Sequence, residues 1–125
     1  MNVPANHRRL VVWQEAISLV EVIYRETAKF PREELFGITA QMRRSALSIP
    51  SNIAEGAGRN SPRELIQFLG FASGSGAELD THLEIAIRLG YLRKNSDACQ
   101  ALGRVGKLLT GLRRSLKDRT GDTGV

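Results

Sequence analysis

Glu78 and His82 stand one helical turn apart, and Glu55 is the other carboxylate that a folded chain could bring beside them. Two carboxylates and an imidazole are a ligand set for a mononuclear divalent metal. A di-iron site needs more: two Glu-x-x-His pairs and further carboxylates. Here the Glu-to-His spacing is four rather than three, and the only other histidine is His7. Nucleophilic catalysis has little to work with. Cys99 is the single cysteine, and no Gly-x-Ser-x-Gly elbow surrounds a serine. Cys99 reads as a small buried apolar residue. The run Gly70-Phe-Ala-Ser-Gly-Ser-Gly76 has the composition of a phosphate loop, but it lacks the lysine and follows no strand. It reads as close helix packing. The expectation is a protein with no catalytic residue, no metal and no cofactor, acting by binding.

The charges offer a different chemistry. Lys and Arg number 18 against 13 acids, a formal charge of +5 over 125 residues. Between Ala98 and Lys117 there is no acid, while Arg104, Lys107, Arg113, Arg114 and Lys117 are all basic. Such a segment suits a polyanion, and Arg43, Arg59 and Arg63 would add to it. The plainer reading is a solvated face with the usual cationic bias near a helix C-terminus.

Four helices must position these groups, because apolar residues recur at spacings of three and four throughout. The first helix is expected over about residues 10–29, with Leu10, Trp13, Ile17, Val20, Tyr24 and Thr27 in one row and Val12, Ala16, Leu19 and Ile23 in a second. The second, about 38–58, carries Ile38, Met42, Ala46, Ile49, Ile53 and Ala57; Pro50 should kink it, and Gly56 and Gly58 should end it. The third, about 62–90, opens with Ser61-Pro62-Arg63-Glu64, a capping box with proline at the first helical position. Leu65, Leu69, Ala72, Gly76, Leu79, Leu83, Ala86 and Gly90 follow as heptad core positions. The fourth, about 96–117, is capped by Asn95 or Ser96, and residues 118–125 are expected to fray. Short connections then give one all-α domain, an antiparallel up-down four-helix bundle. The third helix outreaches the first, which leaves apolar surface for a partner. Few aromatics are present, and most fall on core rows, so base stacking is not expected to contribute.

On the second helix Gln41, Arg44, Ser48, Asn52, Glu55 and Arg59 form a continuous polar row. On the third, Glu78 and His82 lie in a row that is apolar at its ends. A hairpin turning near Asn60 sets Arg44 against Glu78. The row is expected inside the bundle, as a paired network that fixes register or as a binding groove at Pro50.

No stretch approaches the roughly 20 apolar residues of a membrane span. The polar start of the chain has no signal core, and the lone cysteine suits a reducing compartment, so a cytoplasmic location is expected.

Several strings carry a resemblance: Leu10-Val-Val-Trp-Gln14, Phe30-Pro31, Phe36-Gly37, Gln41-Met-Arg-Arg-Ser-Ala46, Ser48-Ile-Pro-Ser-Asn-Ile-Ala-Glu-Gly56, Ala72-Ser-Gly-Ser75 and Leu89-Gly-Tyr91. Over about residues 10–92 the chain resembles the bacterial 23S rRNA intervening-sequence proteins, sometimes labelled ribosomal-protein-like. The resemblance implies a left-handed up-down bundle and a homo-oligomer, a ring of five. The fold is also similar to the basic pentameric accessory proteins of diversity-generating retroelements, which bind nucleic acid. No catalytic residues carry over. Two readings follow: nucleic-acid binding, RNA above DNA, through the basic residues, or a scaffold for an unknown protein partner.

Overall fold

The computed structural model describes residues 6–121. Four helices dominate: α1 (Val11–Thr27), α2 (Ile38–Ala57), α3 (Pro62–Arg88) and α4 (Asp97–Thr120), with short 3-10 turns at Asn6–Arg9 and Arg32–Glu34 and no strand among the described residues. Each helix packs on its two neighbours, in the cyclic order α1, α2, α3, α4, and none touches the helix diagonally opposite. Neighbours run antiparallel. Arg25, late in α1, pairs with Asp97 at the start of α4 at 3.1 Å. Ser45 of α2 meets His82 of α3, while Gly56 meets Leu65 and Phe68.

The core fills the space between these helices. Val12, Ala16, Leu19 and Ile23 of α1 are buried against Met42, Ala46, Ile49 and Ile53 of α2, Leu69, Ala72, Leu79, Leu83 and Ala86 of α3, and Ala98, Ala101, Val105 and Leu109 of α4. On α1 the second apolar row is thus the core row. In the first row Ile17 and Tyr24 are exposed, and only Thr27 is buried. The aromatics are also less buried than expected: Phe36 is 92% exposed, and Phe71 and Tyr24 are exposed too.

Local chemistry explains the helix ends. Ser61 Oγ accepts the Glu64 N–H at 3.3 Å, with Pro62 at the first helical position. The Glu64 carboxylate pairs with Arg59 at 3.7 Å, and no reciprocal bond to Ser61 closes the capping box. α4 is capped by Ser96, whose Oγ accepts the Cys99 N–H at 3.3 Å. Cys99 is half-buried and takes the Ser96 hydroxyl proton on Sγ, so it is less enclosed than expected. α3 stops at Arg88, short of Gly90. Gly90 adopts a left-handed φ of 83°, and the Tyr91 N–H reaches back to Ala86 O at 2.9 Å. Gly90 is therefore an exposed terminator and no core position.

α4 runs past Lys117 to Thr120, and Gly121 ends it in the left-handed region at φ 72°. Residues 118–120 continue the helix to the Gly121 cap, beyond the helix end expected at residue 117. Leu116 holds this end to the core, and Lys117 and Arg119 complement the helix dipole. Residues 122–125 lie outside the described part.

The glycines correct a second expectation. Gly58 caps α2 as expected, whereas Gly56 lies within its last turn, buried. A Cβ there would stand 2.7 Å from Phe68 Cβ and 3.1 Å from Leu65 Cδ1, so the missing side chain lets α3 pack close against α2. Around Gly74 there is open space, and Gly76 makes ordinary contact with Leu102. The Gly70–Gly76 run does not draw helices together. With Gly103 and Gly106 of α4 it leaves a trough of ≈ 370 Å³ between α3 and α4. Pro50 is buried within α2, which the proline does not break.

Candidate functional site

An antiparallel bundle places the start of one helix beside the end of the next. At one end of this molecule lie the turn Asn6–Arg9, the end of α2, the start of α3 and the last turns of α4. The contacts that define this end are specific. Leu10, Val11 and Val12 share a groove with Lys107, Leu108 and Leu112. The Arg113 guanidinium stands 3.4 Å from where a Cβ on Gly70 would be. This end therefore gathers Arg8, Arg9, Arg59, Arg63, Arg113, Arg114, Lys117 and Arg119.

Its acids are few. Arg59 holds both Glu55, at 3.2 Å, and Glu64, at 3.7 Å, and its guanidinium lies 5.1 Å from the Phe68 ring centre. Arg63, Arg114 and Arg119 are exposed, while Arg113 and Lys117 are half-buried. Arg113 Nε is buried without a hydrogen-bond partner. Burying an unpaired donor carries a cost that an anion at this end would relieve. The other end has a mixed character. Arg25 pairs with Asp97 and Arg88 with Glu84, and Lys29, Arg32, Arg93 and Lys94 are set against Glu26, Glu33 and Glu34. Cationic bias at helix C-termini would enrich both ends alike, because each end has two of them.

Of the expected basic residues, Arg59, Arg63, Arg113, Arg114 and Lys117 share this end. Arg104 and Lys107 are exposed midway along α4, Lys107 on the α1 side. Arg43 is elsewhere. It donates through Nε to Thr27 Oγ1 at 2.9 Å and lies over the Tyr24 ring at 4.6 Å. Sequence reasoning missed Arg8, Arg9 and Arg119, although the up-down topology already placed them beside the named residues.

The polar row of α2 is not inside the bundle. Gln41, Arg44, Glu55 and Arg59 are exposed, and Ser48 and Asn52 half-buried, along the outer seam with α3. A row at the edge of the seam can point its long side chains to water, which an enclosed row could not. Arg44 does reach Glu78 at 3.5 Å and also donates to Gln41 Oε1 at 2.6 Å. Ser48 and Asn52 spend their donors on backbone carbonyls of their own helix, those of Ser45 and Ser48. His82 Nδ1 lies 3.4 Å from Ser45 Oγ. No three His, Cys, Asp or Glu side chains among the described residues converge as metal ligands, so Glu55, Glu78 and His82 are not assembled into a site. No described helix is long and apolar enough to cross a membrane.

The family model described as 23S rRNA-intervening sequence protein matches residues 8–111. The chain belongs to this family. The match takes in both signature strings of α2 and most of α4. Among solved structures, a protein of unknown function from the S23 ribosomal protein family of Bacteroides thetaiotaomicron superposes with a TM-score of 0.64. It is 23% identical, and the similarity covers 86% of this chain and 96% of that one. This second likeness concerns the fold. No protein of curated function matches the chain. Within the 23S rRNA-intervening sequence family match, the end-clustered residues Arg8, Arg9, Arg59 and Arg63 are all included, whereas Arg113, Arg114 and Lys117 lie just beyond it.

Proposed function

We propose that this protein acts without catalysis, binding nucleic acid, RNA in preference to DNA, through the basic end of its bundle. One observation carries the reading: cations from four separate segments meet at one end, where Arg59 alone engages both Glu55 and Glu64. Such a surface neutralises phosphates and releases counterions, with strong salt dependence and little sequence preference. Arg113, Arg114 and Lys117 are the principal contacts, and Arg63 and Arg59 flank them. The test is binding of nuclease-treated protein to RNA and duplex DNA between about 50 and 300 mM salt. A variant with Arg113, Arg114 and Lys117 changed to Gln should bind more weakly, with a log–log salt slope shallower by about 2–3. An Arg43→Gln control should keep the parent slope. No binding at the lowest salt would end this reading.

A specific observation favours a second reading, a protein-interaction role. Phe36, Leu35, Leu47 and Tyr24 border a shallow groove of ≈ 680 Å³, with Phe36 almost wholly in solvent. Exposed apolar groups of this kind mark contact surfaces. The same groups, with Phe71, Ile85 and Leu89, are the natural seat of self-association into the ring that the family resemblance implies. Light scattering of wild-type and Phe36→Asp protein tests this. A monomer in both cases would turn the surface over to a different protein partner.

A further inference from the structure

Separate from the basic end, a cavity of ≈ 290 Å³ lies where the end of α1 meets the start of α2, lined by Thr27, Phe30, Leu35, Thr39 and two arginines, Arg32 and Arg43, among others. Two features of it are unusual together. Thr39 is 3% exposed, and its Oγ1 has no hydrogen-bond partner in the protein. Arg43 is half-buried, and no carboxylate among the described residues pairs with it within 4.0 Å. The N-terminus of α2 carries no side-chain cap bond, but Glu34 Oε1 stands 2.8 Å from where a Cβ on Gly37 would be, so a carboxylate already lies beside it and the cavity's anion-binding character rests on the side chains. Glu34, the nearest acid in sequence, accepts the Tyr91 hydroxyl at 2.9 Å and does not line the cavity.

The arginine is held in place before any ligand arrives. The Thr27 hydroxyl donates to Ile23 O at 2.6 Å, which turns its lone pair to Arg43 Nε at 2.9 Å. The guanidinium plane rests over Tyr24. Only a weak 3.4 Å contact to Tyr24 O claims one terminal nitrogen, so Nη1 and part of Nη2 remain as donors. Thr39, one turn before Arg43, adds a hydroxyl on the same helix face. A planar fork beside a hydroxyl matches a carboxylate. The walls formed by Phe30, Pro31 and Leu35 match an apolar body behind it.

We infer that this cavity binds a small monocarboxylate with a hydrocarbon or aromatic body, its carboxylate held by Arg43 and Thr39. Benzoate is a suitable probe, titrated by ligand-observed NMR, with acetate and inorganic phosphate in parallel. Wild-type protein should bind benzoate more tightly than acetate or phosphate. Arg43→Gln should weaken benzoate binding roughly tenfold, and Arg43→Lys nearly as much, because the fork is lost. Thr39→Val, nearly isosteric and safe for folding, should weaken it roughly threefold or more. Arg63→Gln at the basic end should change nothing. The inference is overturned if wild-type protein does not bind benzoate at about 20 mM, if Thr39→Val binds as the parent does, or if phosphate binds at least as tightly as benzoate.

Discussion

The Glu26 carboxylate on α1 accepts a hydrogen bond of 2.8 Å from the backbone N–H of Ala98, in the first turn of α4. Residues 72 apart in sequence thereby cap one helix with a side chain from another. Ser96 satisfies the next free donor, that of Cys99, and the Arg25–Asp97 pair lies alongside. Glu26→Ala should lower the unfolding free energy by about 1–2 kcal/mol. Glu26→Gln should lose less, since its amide oxygen still accepts. Arg25→Ala, which breaks an exposed pair, should cost less than about 0.5 kcal/mol. Urea denaturation of the three variants checks the order, and equal losses for Glu26→Ala and Arg25→Ala would contradict it.

Two glycines in helix interiors should respond to alanine in opposite directions. Gly56→Ala sets a methyl group 2.7 Å from Phe68 Cβ and 3.4 Å from Leu65 Cα, backbone that cannot yield cheaply. Overpacking of this kind costs about 1–3 kcal/mol, enough to outweigh the gain in helix propensity. Gly74→Ala meets nothing within 4 Å and should stabilise by about 0.5–1 kcal/mol. Thermal melts of the two variants should move to either side of the parent.

Arg44 and Glu78 meet at 3.5 Å, with side chains 63% and 44% exposed. Water screens such a pair, and the Arg44 guanidinium is shared with Gln41. A double-mutant cycle of Arg44→Met and Glu78→Met should give a coupling of about 0.2–0.5 kcal/mol that shrinks in high salt. Zero coupling at low salt would mean that the contact does not form in solution.

Tyr91 donates its phenol proton to Glu34, and its ring lies 5.3 Å from that of Phe30. The hydrogen bond to Glu34, then desolvation, then the charges of Glu34 and Glu33 hold the phenol above its ordinary value of 10.0. A raised value means that the folded state grips this proton more tightly than the unfolded chain does. The stabilisation is complete below pH 10.0 and is lost as pH rises through the folded-state value. The stability difference between wild type and Tyr91→Phe should therefore stay level between about pH 7 and pH 9 and shrink in more alkaline solution. A difference that widens with alkalinity would contradict the assignment.

Much of the bundle was readable from spacing, because period and capping are local properties. Ser61-Pro62 and Ser96 mark helix starts by chemistry within a few residues, and most of the core rows of α2 and α3 follow from the 3–4 rhythm. What spacing could not decide was how deep each row lies. Arg44 and Glu78 were rightly paired yet wrongly enclosed, since their depth depends on how α2 and α3 rotate about the seam. Gly56 and Gly74 look alike in sequence, and only packing against Phe68 separates the tight contact from the open one. The basic end was half legible. Arg113, Arg114 and Lys117 stand out as a run without acids, but Arg8, Arg9 and Arg59 join them only through topology. The Thr39–Arg43 cavity left no sequence signal, because its polarity comes from a hydroxyl without a partner.

Three of the four helix–helix seams join consecutive helices, and only that between α1 and α4 draws in the two ends of the described chain. Consecutive seams close over short loops and form quickly, whereas the last must wait until the intervening chain is in order. Much of what pins that seam at its far end hangs on Glu26, Arg25 and Asp97, which are polar contacts near water. Amide hydrogens at the start of α4, held by these polar contacts near water, should therefore exchange sooner than those buried between α2 and α3.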